Sequence, residues 1–452
     1  MSNQPLKVLS VCTSLDGGAG RAAYRIHQGV RNHGVDSRML LERGNTNDPN
    51  IITLDDFAPQ NLIYKAFDWT RNKVENKIQH IRWNRYPNKD DVFMSDLRST
   101  DIHGALKKLD YDVLHLHWIN QRFLPLKALP IDKPIIWTLH DSWPFCGICH
   151  YFFECDGYKR QCGSCPLLHS ENYKDLSNKV WQIKEKIYKR LNLHIVSPSR
   201  WLGDCAKQSA LLGHFHVSVI PNCLDVTEFR PLQDDEFSPR WQEFQEKRFE
   251  KPFILYGAMN AATDKRKGFA NLLFALQILG KEGFANDFEL IVFGAKATEL
   301  KINLAMPIHF AGYVSDTQEL VSLYNLASVM VVPSLTENLS CAIMESLSCG
   351  TPVVAFDIGG NSDMIEHKKN GYLAKEQDNE DLAKGIMWCL DNNKNNQLGE
   401  AARKKVLKEY AYEVVGEKYK KLYESMICSK NNPEGCSRLG NRGRQSGTGN
   451  QI

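Results

Sequence analysis

Twice along this chain, short runs of almost wholly apolar residues alternate with segments of helical periodicity. Strands buried on both faces read as continuous apolar runs, and strand–helix–strand alternation builds a parallel sheet covered by helices. The first series opens at Lys7–Cys12 and passes through a glycine-rich turn, Asp16–Gly20. A helix then spans Arg21–His33, with Ala22, Ile26 and Val30 on one face and Gly34 as its stop. Strands follow at Ser37–Glu42, Val113–Trp118, Ile135–His140 and His194–Ser197, the last preceded by a long polar helix over Tyr173–Leu191. The second series places strands at Phe253–Tyr256, Phe288–Phe293, His309–Phe310, Val329–Pro333 and Pro352–Phe356. A single core rarely grows beyond about 250–300 residues. The 452 residues in two such series therefore predict an α/β chain of two doubly wound domains.

The polar, proline-punctuated stretch Arg230–Glu250 reads as the linker. It divides an N-terminal domain, residues 1–235, from a C-terminal domain, residues 236–410. A last helix runs over about Glu400–Met426. The tail, residues 429–452, is rich in Gly, Ser, Asn and Arg, cannot bury a core, and is expected to be disordered. A net charge of +3 is too mild for a nucleic-acid partner, which calls for a strongly basic stripe. It allows peripheral contact with an anionic membrane surface. The aromatic and basic stretch Asn61–Tyr86 fits either an interfacial helix or an insertion packed on the first domain. No run of about 18 apolar residues spans a bilayer, and Val8–Cys12 is too short for a signal-peptide core. The expectation is a cytoplasmic protein.

In that compartment the 13 cysteines are reduced thiols or metal ligands. Cys149, Cys155, Cys162 and Cys165 crowd one loop, residues 146–165, and Cys162 with Cys165 has the two-residue spacing of tetrahedral zinc, as does Cys146 with Cys149. A structural zinc and reduced thiols packing a loop both fit. His115 and His117 share one strand face; a hydrogen-bonded core pair suits them better than a metal.

The segment Glu337–Glu345 carries the chemistry. It follows the strand Val329–Pro333 and opens a helix that ends at Gly350. Glu337 falls in the strand-to-helix loop and Glu345 about two turns into the helix. Ligands of doubly wound sheets bind at the carboxyl ends of strands, where the first helical turn offers free N–H groups to a diphosphate. Alone, two glutamates eight positions apart are solvated surface charges. The buried strand before them and Gly350-Thr351-Pro352-Val353-Val354 after them argue for a site.

Those two glutamates and the block Ser348–Ala355 resemble the donor-site signature of family-four retaining glycosyltransferases. Further blocks match in order: Ser197–Leu202, Val219–Asp225, Arg266-Lys267-Gly268-Phe269, Gly359-Gly360 and Asn370–Leu373. The resemblance covers nearly all of residues 6–428. It implies the GT-B fold, two Rossmann-like domains facing across a cleft, with the last helix, residues 411–428, crossing back to the first domain. It implies a retaining enzyme that uses a nucleotide-sugar donor (UDP-, GDP- or ADP-sugar) and no catalytic metal. The acceptor it implies is a cell-surface polysaccharide or lipid-linked oligosaccharide, met at the cytoplasmic face of the inner membrane. By the same resemblance Glu345 binds the ribose. Glu337 faces the transferred sugar, with backbone groups of Asn338 and Leu339. Arg266 and Lys267 neutralise the diphosphate, Gly17 and Gly18 approach it, and His140 touches the sugar. One departure is Ala258 after Gly257, where many relatives carry an arginine.

Three other functions compete. Gly18-x-Gly20-x-x-Ala23 with Glu42 about 20 residues on fits an NAD-dependent oxidoreductase, but leaves the glutamate and Arg-Lys-Gly blocks unexplained. A sugar-nucleotide epimerase of the same architecture conflicts with the glutamate spacing. A non-catalytic scaffold has no use for an intact donor block.

Overall fold

The structure is a computed structural model; it describes residues 4–44, 47–57, 102–121, 123–258, 263–299 and 304–431, with residues 70, 73, 74, 77, 86 and 302. The interfacial helix expected within Asn61–Tyr86 and the tail beyond residue 431 lie outside the described residues, apart from those isolated positions. Among the described residues, thirteen strands form two wholly parallel sheets. The first contains β1 (Lys7–Cys12), β2 (Asp36–Leu41), β3 (Ile51–Thr53), β4 (Val113–Leu116), β5 (Pro134–Thr138), β6 (Asn192–Ser197) and β7 (His216–Val219), in the order β3-β2-β1-β4-β5-β6-β7. The second contains β8 (Phe253–Gly257), β9 (Glu289–Phe293), β10 (Ile308–Gly312), β11 (Ala327–Val332), β12 (Val353–Phe356) and β13 (Gly371–Ala374), in the order β10-β9-β8-β11-β12-β13.

Both sheets reverse direction of growth once, between β1 and β4 and between β8 and β11. Such switch points open a crevice beyond the strand ends. Three of the segments expected to carry chemistry follow these strands: 13–16 after β1, 263–268 after β8 and 333–340 after β11.

Three expectations need correction. The stretch Arg230–Glu250 is no free linker: Phe237 and Trp241 are buried in the core of the second half, because two bulky aromatics outweigh its polar composition. The long last helix is two helices, Gln397–Glu409 and Tyr412–Asn431. It breaks where Leu224 N–H donates to the Tyr410 carbonyl at 2.9 Å, tying the chain to the first half. The helix that carries Glu345 spans Cys341–Ser348, so Glu345 stands little more than one turn from its start. Residues 334–340 are spent on a loop, with Ser340 extended as the N-cap.

The helix Tyr412–Asn431 packs on the helix Gly17–Asn32. Its Val415, Tyr419 and Tyr423 share a core with Val8, Ile26, Val30 and Ile136. Among the described residues, no helix is long and apolar enough to cross a membrane.

Candidate functional site

Gly268 shapes the basic turn of the second half. It sits at φ 68°, and a Cβ there would stand 1.7 Å from the Pro333 carbonyl oxygen. Only glycine tolerates both conditions, so the turn Lys265–Lys267 lies against the end of β11. Leu335 N–H closes the contact on the Arg266 carbonyl at 2.7 Å. Lys267 Nζ then reaches Glu337 Oε1 at 2.8 Å, and the Glu337 charge raises the lysine's pKa. Arg266 is held at both ends: Asp264 grips its Nε and Nη2 at 3.0 and 2.7 Å, and its guanidinium carbon lies 4.2 Å from the Tyr151 ring centre.

The loop that holds Glu337 is walled by glycine as well. A Cβ on Gly359 would stand 1.8 Å from the Glu337 carbonyl oxygen, and one on Gly360 2.0 Å from that of Asn338. Asn338 joins the two halves: its Nδ2 donates to the Leu139 carbonyl at 3.0 Å, and its Oδ1 accepts from Ser199 Oγ at 2.7 Å. Leu339 is buried in the second core.

Glu345 is 2% exposed. Its Oε2 accepts from the Tyr324 hydroxyl at 2.8 Å, and its Oε1 lies 2.7 Å from Nη2 of Arg25, on the helix Gly17–Asn32 of the first half. Burial opposes the charge on Arg25, but the Glu345 carboxylate outweighs it and raises the pKa. Removing one member of such a pair strands the other, at about 3–5 kcal/mol.

The helix Cys341–Ser348 and the helix Gly17–Asn32 start close together, with Cys341 Sγ 3.9 Å from the Gly18 carbonyl oxygen. Neither N-cap, Ser340 or Asp16, gives a side-chain hydrogen bond to its helix. First-turn N–H groups without caps are free to receive an anion, and a Cβ built on Gly17 or Gly18 meets open space beyond its own helix and chain neighbours. The helix begins at Gly17, so the glycines of the dinucleotide fingerprint lie inside it rather than in a turn before it.

His140 Nε2 is 3.1 Å from His117 Nδ1, and burial pushes the His140 pKa down to about 4. His115 bonds the Tyr423 hydroxyl and Thr138 Oγ1, both at 2.8 Å, as a core residue should. The backbone of His140 meets the second half, its carbonyl 3.4 Å from Asn338 Nδ2.

The cysteine loop is pinned by its own polar contacts. Buried Lys184 donates to the carbonyls of Trp143, Cys146 and Gly147, and His150 Nδ1 is 2.5 Å from Asp141 Oδ2. The thiol of Cys149 contacts those of Cys146 and Cys165, Cys162 Sγ accepts from Gly147 N–H at 3.2 Å, and Cys155 sits on the half-exposed rim. Among the described residues, no group of three or more His, Cys, Asp or Glu is placed to hold a metal ion. The four cysteines of the expected zinc, Cys149, Cys155, Cys162 and Cys165, form no disulfide. Burial, which pushes Cys162 up to about 11, keeps it protonated.

Two family models meet this geometry. Glycosyltransferase Family 4 matches residues 16–228, and Glycosyl transferases group 1 matches residues 239–405. The chain belongs to the family-four glycosyltransferases. Their GT-B fold, two Rossmann-like domains facing across a cleft, is the one described above. This glycosyltransferase chain is 26% identical over 282 residues to WcaC, an Escherichia coli (strain K12) protein named for colanic acid biosynthesis. The match covers 60% of this chain and 64% of that relative, just under two thirds of its length. A crystallised glycosyltransferase of Rickettsia africae superposes with a TM-score of 0.61 at 16% identity, over 94% of this chain and 99% of that one. Anabaena HepE, crystallised with UDP and glucose, gives 0.58 at 14%, over 93% and 100%. Nothing in these matches favours the oxidoreductase reading.

The geometry adds Arg25, Tyr324 and Tyr151 to the residues expected of a family-four glycosyltransferase. Arg25 had left a trace, an arginine beside Ile26 on the apolar face of its helix. Tyr324 and Tyr151 had left none, since each reaches the site through contacts distant in sequence.

Proposed function

We propose that this glycosyltransferase is a retaining enzyme that moves a sugar from a nucleotide-sugar donor to a saccharide acceptor. The observation that carries the reading is the convergence of Lys267 and Glu337, paired at 2.8 Å, with two uncapped helix N-termini. Positive groups fixed where charge develops stabilise a departing diphosphate. Lys267 and Arg266 supply the cations, which makes a catalytic metal unnecessary. Arg266 also takes the part that Ala258 leaves open; residues 259–262, just after it, lie outside the described residues.

In this reading the donor lies in the C-terminal domain, residues 236–410, and the acceptor meets the N-terminal domain, residues 1–235. Glu345 receives the ribose hydroxyls, since a carboxylate accepts from two neighbouring hydroxyls at once. Glu337, the backbone of Asn338 and Leu339, and His140 face the sugar, and Gly17 and Gly18 cover the phosphates. The leaving diphosphate itself takes the acceptor proton, and the chain supplies orientation and charge stabilisation. UDP-, GDP- and ADP-sugars are the donor candidates. The likeness to WcaC favours an acceptor in a cell-surface polysaccharide or its lipid-linked precursor. Such an acceptor sets the enzyme at the cytoplasmic face of the inner membrane, by peripheral contact.

The test is the release of nucleoside diphosphate from a nucleotide sugar, with the anomeric configuration of the product read by NMR. Retention supports the proposal. Inversion removes the retaining mechanism, and no turnover with any donor and acceptor pair removes the activity.

A further inference from the structure

Glu345 stands on one half of the molecule and its cationic partner on the other. The Arg25 guanidinium crosses from the helix Gly17–Asn32 to within 2.7 Å of Glu345 Oε1, and packs 5.1 Å from the Phe229 ring centre. Both side chains are nearly sealed from water, at 11% and 2% exposure. Yet Arg25 Nη1 and Glu345 Oε1 each lack a well-aligned hydrogen bond. Buried polar atoms in this condition are rare and call for an explanation. The Tyr324 hydroxyl already fixes the other carboxylate oxygen at 2.8 Å.

We infer that Arg25 is a positioning residue of the donor site: it fixes the Glu345 carboxylate for the nucleoside half of the donor. It does so from the opposite domain, so that the nucleoside site is complete only when the two halves meet. The inference rests on the donor reading above. Its physical basis is the pinning of a carboxylate by two partners, Tyr324 on one oxygen and Arg25 on the other. A pinned acceptor leaves its remaining lone pairs aimed at fixed points, and ordering it beforehand removes an entropic cost from binding. A carboxylate held in this way accepts from two neighbouring ribose hydroxyls. When the halves separate, Glu345 loses its cation, so nucleoside binding and domain closure are thermodynamically linked.

The experiment is calorimetric titration of wild type, Arg25→Ala and Arg25→Lys. The titrants are UDP, GDP and ADP, each compared with inorganic pyrophosphate, and donor KM and kcat are read on the same preparations. The expected result is a Kd for the favoured nucleoside diphosphate weakened by about tenfold or more in Arg25→Ala. Pyrophosphate binding is unchanged, donor KM rises more than kcat falls, and Arg25→Lys recovers part of the loss. Should the alanine chain fail to fold, Arg25→Lys carries the test: it keeps the charge but loses the planar fork, and its nucleoside Kd must weaken. Equal weakening for nucleoside diphosphate and pyrophosphate marks a merely structural role and overturns the inference, as does an unchanged nucleoside Kd. If wild type binds pyrophosphate but none of the three nucleoside diphosphates, the donor reading itself fails, a result distinct from either.

Discussion

The Tyr151 ring and the Arg266 guanidinium face each other at 4.2 Å, one from the cysteine loop and the other from the basic turn after β8. An aromatic face attracts a cation by about 0.5–2 kcal/mol according to desolvation. The contact fixes an arginine that the proposal sets against the donor diphosphate. Tyr151→Ala is expected to raise donor KM about three- to tenfold while Tyr151→Phe, which keeps the ring, stays close to wild type. Steady-state kinetics on the three chains checks it.

Lys267 and Glu337 pair at 2.8 Å, and the proposal sets the first against the diphosphate and the second against the sugar. Loss of one fixed donor to a developing anion costs about 10²–10³ in kcat. Lys267→Ala is expected to lose activity on that scale with little change in thermal stability, since the lysine is partly exposed. Single-turnover measurement at saturating donor separates this from a binding defect.

Gly268 offers no room. A methyl group there would collide with the Pro333 carbonyl, and the backbone sits at φ 68°. Gly268→Ala is expected to lower the melting temperature by several degrees, the scale of a strained, overpacked substitution. It also displaces Arg266 and Lys267 from the end of β11. Calorimetry together with nucleotide binding checks both effects.

The buried histidines set the acid limit of stability. Burial lowers His27 to about 4 and His115 to about 3, below the ordinary value of about 6.5. Between those values the unfolded chain binds protons that the folded chain refuses. Stability therefore rises with pH across that window and is lost as pH falls from about 6.5 toward 4. Each such histidine contributes a slope of up to about 1.4 kcal/mol per pH unit. His115→Gln is expected to flatten the slope by about one proton, whatever its effect at neutral pH. Urea titrations between pH 4.5 and 7 measure it.

Much of this architecture was legible in the chain. Apolar runs such as Val329–Pro333, followed by a loop and a helix, carry the parallel-strand signature by themselves. The edges of the first sheet did not: β3, at Ile51–Thr53, is three half-buried residues, too short for any periodicity. Within the site, Glu337, Glu345 and the Arg266–Gly268 turn stood out because each lies in a strand-to-helix crossing whose blocks resemble the family pattern. Arg25 and Tyr151 did not, because their partners lie 320 and 115 positions away, and only the packing of two domains brings them together. In the cysteine loop the sequence shows only spacing; the packing brings the thiol of Cys149 against those of Cys146 and Cys165 and leaves Cys155 at the rim.

The central claim, that a nucleotide sugar binds through Glu345, is tested most directly by a thermal-shift panel. Wild type and Glu345→Gln are melted with UDP-, GDP- and ADP-sugars and with NAD. A ligand that binds only the folded chain at 100 times its Kd stabilises it by about 2.7 kcal/mol, a shift of a few degrees for a chain this long. The account expects one nucleotide-sugar class to raise the melting temperature of wild type, with the response lost in Glu345→Gln. A shift with NAD alone, or an equal response to the nucleotide sugar in the two chains, would contradict it.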